Sequence, residues 1–479
     1  MDRAPRPDRG STAAPAIPPP VEELLQTLWS AGHAAYVVGG SLRDALLART
    51  AADWDLATDA RPERLLEIFP GAVYENRFGT VSVRHGDRQY EITTFRVDHD
   101  YADFRRPARV EFGDRIEADL ARRDFTVNAM AWGAPAPAAS GGSAATSAGS
   151  AATSAGSAAP VPALVDPFGG RADVERRLLR AVGEPGARFE EDALRMVRAV
   201  RLAATLEFAV EPATLAAIET RADLVRHLSG QRLGAELDKL LAAGRPSVGL
   251  RLLADTGLLE RVSPVLAAQR GIAQNKVEGE DLWDHTLRTV DAAPANRPIV
   301  RLAALVHDMG KPETAADGHF YGHDKVGAER AQALLEQLHY PRAVADRVVA
   351  LVRLHMLSYQ PTWSDTAVRR FIAKVGKDAL DDLFELGAAD NVGSGRDRDG
   401  GGLGELRRRV GEQLAADVAL DRADLAVDGD DLIAELGLAP GPEIGRVLDA
   451  LLERVMNDPA LNDRPTLLMV ARTLVGEKP

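Results

Sequence analysis

The stretch from Tyr36 to Thr58, YVVGGSLRDALLARTAADWDLAT, constrains this chain more than any other. The apolar run Tyr36-Val37-Val38 predicts a strand, Gly39-Gly40-Ser41 a turn, and Leu42-Arg43-Asp44 the opening of a helix. A second strand is expected to carry Asp53-Trp54-Asp55. Residues two apart on a strand share a face, so Asp53 and Asp55 should stand side by side. Two such carboxylates repel unless a cation lies between them. Mg²⁺ meets that need, because it takes hard oxygen ligands and bridges carboxylates to phosphates. Gly39 and Gly40 let backbone N–H groups come close to a phosphate, with a helix N-terminus behind them. A GG pair or a DxD alone is more often a turn or a solvated loop. In strand–GG–helix–strand order, the two make a phosphate cradle beside a metal pair.

Two further segments carry the same kind of chemistry: Arg122-Arg123-Asp124-Phe125-Thr126-Val127-Asn128-Ala129-Met130, and the run Phe189 to Arg201, FEEDALRMVRAVR. With Gly39 to Asp44 and Asp53 to Thr58, they resemble the class II tRNA nucleotidyltransferase and bacterial poly(A) polymerase branch of the DNA polymerase β-like nucleotidyltransferases. That family's patterns run GG-x-[VL]-R-D, D-x-D-[LI]-x-T, RRDFT[IV]NAM and EDxxRxxRAxRFA. The resemblance covers roughly residues 21–264. It implies that Asp53 and Asp55 hold Mg²⁺ and that Gly39, Gly40, Ser41 and Arg43 hold a triphosphate.

Arg123 is a candidate for the triphosphate as well. Asp124 and Asn128 offer donors and acceptors to ribose hydroxyls; the plainer reading is a helix start capped by Asp124. Asp192 and Arg195 are expected one turn apart on one helix face. An acceptor beside a donor fits the edges of cytosine and adenine and not those of guanine and uracil. Alone, the pair would read as an exposed ion pair. Arg198 and Arg201 continue the stripe toward phosphates. Glu91, in a strand predicted from Tyr90 to Arg96, should share a face with Thr93 and Phe95; a third catalytic carboxylate and an exposed strand residue both remain open for it. The polar segment Tyr101 to Phe112 reads as a mobile loop, and in the family such a loop helps to switch specificity.

Length and composition set the bounds. At 479 residues the chain needs more than one core. No stretch reaches the length of a membrane span. There is no cysteine, so disulfides and thiolate metal sites are excluded, which fits a cytoplasmic protein. The net charge of −13 argues against a wholly basic nucleic-acid coat but not against a local basic face. Residues 1–20 read as a disordered leader. Residues 134–162, rich in Ala, Ser, Gly and Thr with a tandem SAATSAG, read as an insertion at a hairpin tip.

A second set of chemistry follows residue 275. His285, the adjacent pair His307-Asp308, His323, His355 and Asp390 lie along helical segments and resemble the HD phosphohydrolase superfamily over roughly 275–395. Imidazoles with carboxylates suit a divalent metal that activates water. His285, His307, Asp308 and Asp390 are expected to form a first site, with His323 and His355 binding a second metal or the phosphate. His319 has no place in this pattern.

The expected architecture is an α/β nucleotidyltransferase head with a mixed, five-stranded sheet, followed by an all-α neck, body, HD domain and helical tail. The expected divisions are 21–170 for the head, 171–274 for the neck and body, 275–395 for the HD domain, and 396–479 for a tail able to dock RNA. The resemblance implies addition of CCA to tRNA from CTP and ATP. A poly(A) polymerase or a CC- or A-only enzyme of the same family is the alternative. A metal phosphohydrolase acting on nucleotides or RNA ends is the alternative of another class.

Overall fold

The computed structural model describes residues 14–51, 53–76, 79–101, 107–136, 161–274, 276–416 and 418–476. Most of the expected leader and insertion, and the loop tip with Arg105 and Arg106, lie outside them. The chain divides into two compact units, Met1–Leu228 with Asp255–Arg261, and Ser229–Ala254 with Val262–Pro479.

In the first unit, helix α1 (Pro19–Ser30) buries Val21, Leu24, Leu25, Leu28 and Trp29, the stripe its spacing predicts. Strand β1 (Ala35–Val38) is buried at every position, as a continuous apolar run inside a sheet should be. There follow α2 (Gly40–Leu46), β2 (Asp55–Thr58), α3 (Pro62–Ile68), β3 (Val73–Asn76), β4 (Thr80–His85), β5 (Arg88–Thr94), β6 (Arg96–Tyr101), β7 (Pro107–Phe112), α4 (Ile116–Ala121), β8 (Ala131–Ala134) and β9 (Ala163–Val165).

The main sheet has seven strands in the order β3-β4-β5-β2-β1-β8-β9. It is mixed, since β2 and β5 run parallel while β1 pairs antiparallel with both β2 and β8. The expectation of five strands fell short at the edges. There β3 is broken by a register shift and β9 has only three residues, too few for any periodicity to be read.

Two further expectations are corrected. The segment Tyr101 to Phe112, expected as a loop, instead supplies strand β7, which pairs antiparallel with β6, with Arg96 opposite Phe112 and Tyr101 opposite Pro107. Val97, Val110 and Phe112 are good strand formers among the charges that suggested a loop. Phe95 does not share the face of Glu91 and Thr93. It sits in the break between β5 and β6 and is buried with Tyr36, Val38, Ile116 and Leu120.

Helices α5 (Gly170–Arg176), α6 (Pro185–Glu191) and α7 (Leu194–Leu206) follow. The single helix expected across Phe189 to Arg201 is two. The backbone leaves helical geometry at Asp192, with φ −146° and ψ 104°. The Asp192 carboxylate accepts from Leu194 N at 3.1 Å, a local bond that competes with helix continuation.

The second unit is helical. Its helix Pro298–Val306 is buried at every position from Val300 to Val306, which marks the centre of a bundle. Arg301 lies within this run, and its guanidinium donates to the carbonyls of Leu241, Ala243 and Ala293. Around Pro298–Val306 stand the helices Leu282–Ala292, His323–Gln337, Arg342–Leu354 and Leu380–Gly393. Further on, Arg407 to Arg409 are tied to the protein. Arg407 pairs with Glu385, Arg408 with Glu412, and Arg409 with Asp365 and the Trp363 carbonyl. Among the described residues no helix is long and apolar enough to cross a membrane.

Candidate functional site

Asp55 opens β2 and stands opposite Glu91 on the parallel strand β5. Asp53 is not on the strand. It lies in the bend before it, because pairing to β1 begins only where Asp55 meets Val38. Its charge still reaches the other two. Burial raises the pKa of Asp55, Arg123 opposes that rise, and Asp53 adds to it. Glu91 is raised by burial and then by Asp55, Glu75 and Asp53. Carboxylates that push one another toward protonation are a hard-oxygen donor set suited to a divalent ion.

Gly39 takes φ +75° at the end of β1. A Cβ there would lie 2.9 Å from Arg123 Nη1 and 3.8 Å from Asp55 Oδ2. The turn, the guanidinium and the carboxylate thus meet at one point, and only glycine leaves that point open. Arg123 is fixed from behind by Asp119, whose Oδ2 accepts from Nη2 at 3.1 Å. Asp119 also takes Arg122 at 2.6 Å and is buried. Burial alone would raise its pKa, but the two arginines outweigh that and hold it low. Sequence reasoning missed Asp119; the signal was an acid four residues before Arg123 on an amphipathic helix.

Ser41 is buried, and its hydroxyl donates to the Val38 carbonyl, so it closes the turn. Arg43 donates to Asp44 Oδ1 from Nε and Nη2 at 2.9 and 2.8 Å, and to Asn128 Oδ1 from Nη1 at 2.6 Å. Asn128 Nδ2 donates in turn to Asp124 Oδ1 at 3.1 Å. Asp124 Oδ2 accepts from Arg198 Nε and Nη2 at 2.9 and 2.6 Å. Arg43, Asn128, Asp124 and Arg198 therefore form one rail from α2 to α7. Burial would raise the Asp124 pKa, but Arg198 and the Asn128 hydrogen bond outweigh it and hold the carboxyl far below its usual range. With Phe125 N also bound to Oδ1, the acceptor sites of Asp124 are taken up inside the protein.

Asp192 sits in the break between α6 and α7, and Arg195 is in the first turn of α7. Arg195 is buried and donates to Glu191 at 2.8 Å and to the Arg122 carbonyl at 2.9 Å. That second bond ties α7 to the RRDFTVNAM segment. Arg201 lies one turn beyond Arg198 on α7 and is partly exposed.

In the second unit, all six expected His and Asp residues converge. His285 comes from Leu282–Ala292, and Asp390 from Leu380–Gly393. His307 and Asp308 follow the central helix, His323 begins His323–Gln337, and His355 follows Arg342–Leu354. Two groups have ligand atoms within 4.8 Å of one another: His285, His307 and Asp390, and Asp308, His323 and His355. Asp308 was expected in the first site only, but it joins both. Its Oδ2 lies 3.3 Å and 3.1 Å from Nε2 of His285 and His307, and its Oδ1 lies 3.5 Å and 3.6 Å from Nε2 of His323 and His355.

The Nδ1 atoms of His307, His323 and His355 lie 2.8, 2.7 and 2.6 Å from the carbonyls of Ala304, Phe320 and Val352. A carbonyl can only accept, so Nδ1 carries a proton and Nε2 points into the cluster. Burial lowers the pKa of His307 and of His323, which keeps both neutral. For His285, hydrogen bonds to Asp308 and Asp390 outweigh burial and raise the pKa. His323 and His355 Nε2 face each other at 3.2 Å, and Asp308 Oδ1 beside them is buried without a hydrogen-bond partner. Two imidazole nitrogens and a carboxylate oxygen gathered around one point fit a divalent cation.

Two lysines were missed. Lys311 Nζ lies 2.6 Å from Asp308 Oδ2, and Lys276 Nζ lies 3.3 Å from His285 Nε2 and 3.5 Å from Asp390 Oδ1. Lys311 could have been found, being one turn past Asp308. Lys276 comes from an irregular segment that carries no pattern. Gly310 was also missed; a Cβ there would meet the His323 carbonyl oxygen at 2.2 Å, so only glycine lets His323 come this close.

Known proteins match along most of the chain. Residues 35–180 match the Poly A polymerase head domain. Residues 207–270 match the family described as "Probable RNA and SrmB- binding site of polymerase A", and 322–471 match tRNA nucleotidyltransferase domain 2. The CCA-adding enzyme of Geobacillus stearothermophilus is 32% identical over 451 residues, covering 93% of this chain and 95% of that protein. That of Geobacillus thermodenitrificans is 33% identical over 472 residues, covering 96% and 99%. The crystal structure of the Bacillus stearothermophilus CCA-adding enzyme with CTP superposes with a TM-score of 0.69 at 30% identity, covering 96% of this chain and all of that one. With this identity sustained along nearly the whole length of both proteins, the chain belongs to the family of CCA-adding enzymes.

Proposed function

We propose that the chain adds C, C and A in turn to the 3′ end of tRNA, using CTP and ATP and releasing pyrophosphate. The observation that carries this reading is the meeting of Asp55, Arg123 and the open backbone at Gly39, with Glu91 opposite Asp55. The terminal 3′-oxygen of tRNA bonds to the α-phosphorus of the nucleotide. The bond from that phosphorus to the bridging oxygen breaks, pyrophosphate leaves, and the hydroxyl proton is released. Asp53 and Asp55 would hold Mg²⁺ with Glu91 beside them; when bound, such ions lower the pKa of the attacking hydroxyl and neutralise phosphate charge.

In this reading, the turn Gly39-Gly40-Ser41 is the surface against which the triphosphate lies. Arg123, braced by Asp119, faces its charge, and Arg43 supports the turn from α2. Asp124 holds Asn128 and Arg198, leaving Asn128 one N–H for a ribose hydroxyl. Asp192 and Arg195 select the base. Arg195 keeps Nε–H and one Nη2–H outside its bonds to the protein, donors for N3 of cytosine or N1 of adenine. Arg198 and Arg201 line the phosphate side. In this reading the chain acts in the cytoplasm, where a tRNA substrate would be met. Incorporation of labelled CTP into tRNA tests the reading. Asp55→Asn should lose more than about a hundredfold in rate, and a variant as active as the parent would end it.

The unpartnered Oδ1 of Asp308 favours a second activity in the same chain. We infer that the His and Asp cluster holds a divalent metal and hydrolyses a phosphoester. Water adds to phosphorus, the ester P–O bond breaks, and the alcohol leaves with a proton. Asp308 would hold the metal through Oδ1 with His323 and His355, and Lys276 and Lys311 would meet the phosphate charge.

A further inference from the structure

Beside the His and Asp cluster lies a cavity of about 460 Å³, lined among others by Lys276, Lys311, His319, Tyr321 and Arg396. The two lysines and Arg396 in its lining answer to an anion. Its lining also has a feature that the cluster does not explain. His319 and Tyr321 stack with ring centroids 5.3 Å apart and planes at 22°. Tyr321 is 81% exposed, so the pair adds little to the core of the unit.

The backbone holds this pair open. Ala316 and His319 exchange two hydrogen bonds, N–H to carbonyl at 3.0 and 2.8 Å, across a two-residue turn. Asp317 at φ +50° and Gly318 at φ +76° supply the left-handed geometry such a turn needs. His319 and Tyr321, two apart, then come to one side of the segment. Phe320 between them turns back, and its ring lies 5.4 Å from Lys311 Nζ. The Phe320 carbonyl accepts from His323 Nδ1, so the segment that presents the aromatic pair also orients a residue of the cluster. An exposed aromatic face held next to a cationic pocket offers stacking to a planar ring and charge to a phosphate, the two ends of a nucleotide.

We propose that His319 and Tyr321 form a base-stacking platform, which makes the second site selective for phosphoesters that carry a nucleobase. This rests on the phosphohydrolase reading of the cluster. The test compares phosphate release from AMP and from ribose 5-phosphate with Mn²⁺ present, using the full chain. The two compounds differ only in the base. The parent protein should prefer AMP in kcat/KM by about tenfold, a modest value for one stacked base. Tyr321→Ala should bring that ratio close to one, and Tyr321→Phe, which keeps the ring, should preserve it. A ratio unchanged in Tyr321→Ala, or lost in Tyr321→Phe, overturns the platform. A parallel experiment photolabels the protein with 8-azido-AMP and maps the label by mass spectrometry. If neither compound releases phosphate, the hydrolase reading falls, and the label decides the platform by itself. Label on residues 318–322 sustains the platform, and its absence there overturns it.

Discussion

Asp124 and Glu91 show how oppositely two carboxylates of one unit can be used. Asp124 is ionised and bound on both oxygens, and its folded pKa is held far below the ordinary value. A depressed carboxylate contributes stability above its unfolded pKa, here near 3.8, and loses it as pH falls further. Asp124→Asn removes the carboxylate charge that pairs with Arg198. Urea unfolding should show a loss of about 3 kcal/mol, together with a fall in CTP incorporation. An unchanged midpoint would remove Asp124 from the rail. Glu91 is the reverse case: burial, Asp55, Glu75 and Asp53 raise its pKa above 4.5. Its favourable share of stability is present at acid pH and lost as pH rises through the folded value, so at neutral pH the charge is a cost. Glu91→Gln should therefore raise the thermal midpoint at pH 7 without added metal while lowering nucleotide incorporation. A lower midpoint would mean that the carboxylates do not repel.

At the scale of elements, the legible parts were those in which one short segment contains its own physics. The apolar run of β1, the glycines after it and Asp55 could be placed, because strand, turn and charge lie within one stretch of sequence. The six His and Asp residues were legible for another reason, since all lie in or at the ends of helical segments. What escaped depends on partners distant in sequence. Asp53 lies off the strand because β1 sets where pairing begins. The break at Asp192 comes from a side-chain bond that has no proline or glycine to announce it. Lys276 acquires its meaning from His285 and from Asp390, the latter far along the chain.

Two predictions belong at this scale. Gly39→Ala would set a Cβ 2.9 Å from Arg123 Nη1 at a backbone angle alanine resists, so KM for nucleotide should rise while the fold persists by circular dichroism. An unchanged KM would detach Arg123 from the triphosphate. Titration with Mn²⁺ should raise the melting temperature of the parent protein, since an ion held only by the folded cluster stabilises it by mass action. The same titration should leave Asp308→Asn unmoved. Equal shifts in both proteins would contradict a site built on Asp308.

Over the whole molecule, the two candidate sites lie in different compact units, the first within Met1–Leu228 and the second within Val262–Pro479. Their chemistries should therefore separate by mutation. Asp53→Ala should abolish nucleotide incorporation and spare phosphate release, whereas His307→Ala should do the reverse. Loss of both activities in either variant would contradict two self-contained sites. The central claim concerns the first of them, that a protein surface selects C, C and A without a nucleic-acid template. It is tested most directly with a tRNA transcript lacking its 3′ end, incubated with Mg²⁺, CTP and ATP and resolved at single-nucleotide steps. The product should grow by C, C and A and then stop, with only C added when CTP is alone. A long ladder of A, or a transcript that never lengthens, would contradict the account.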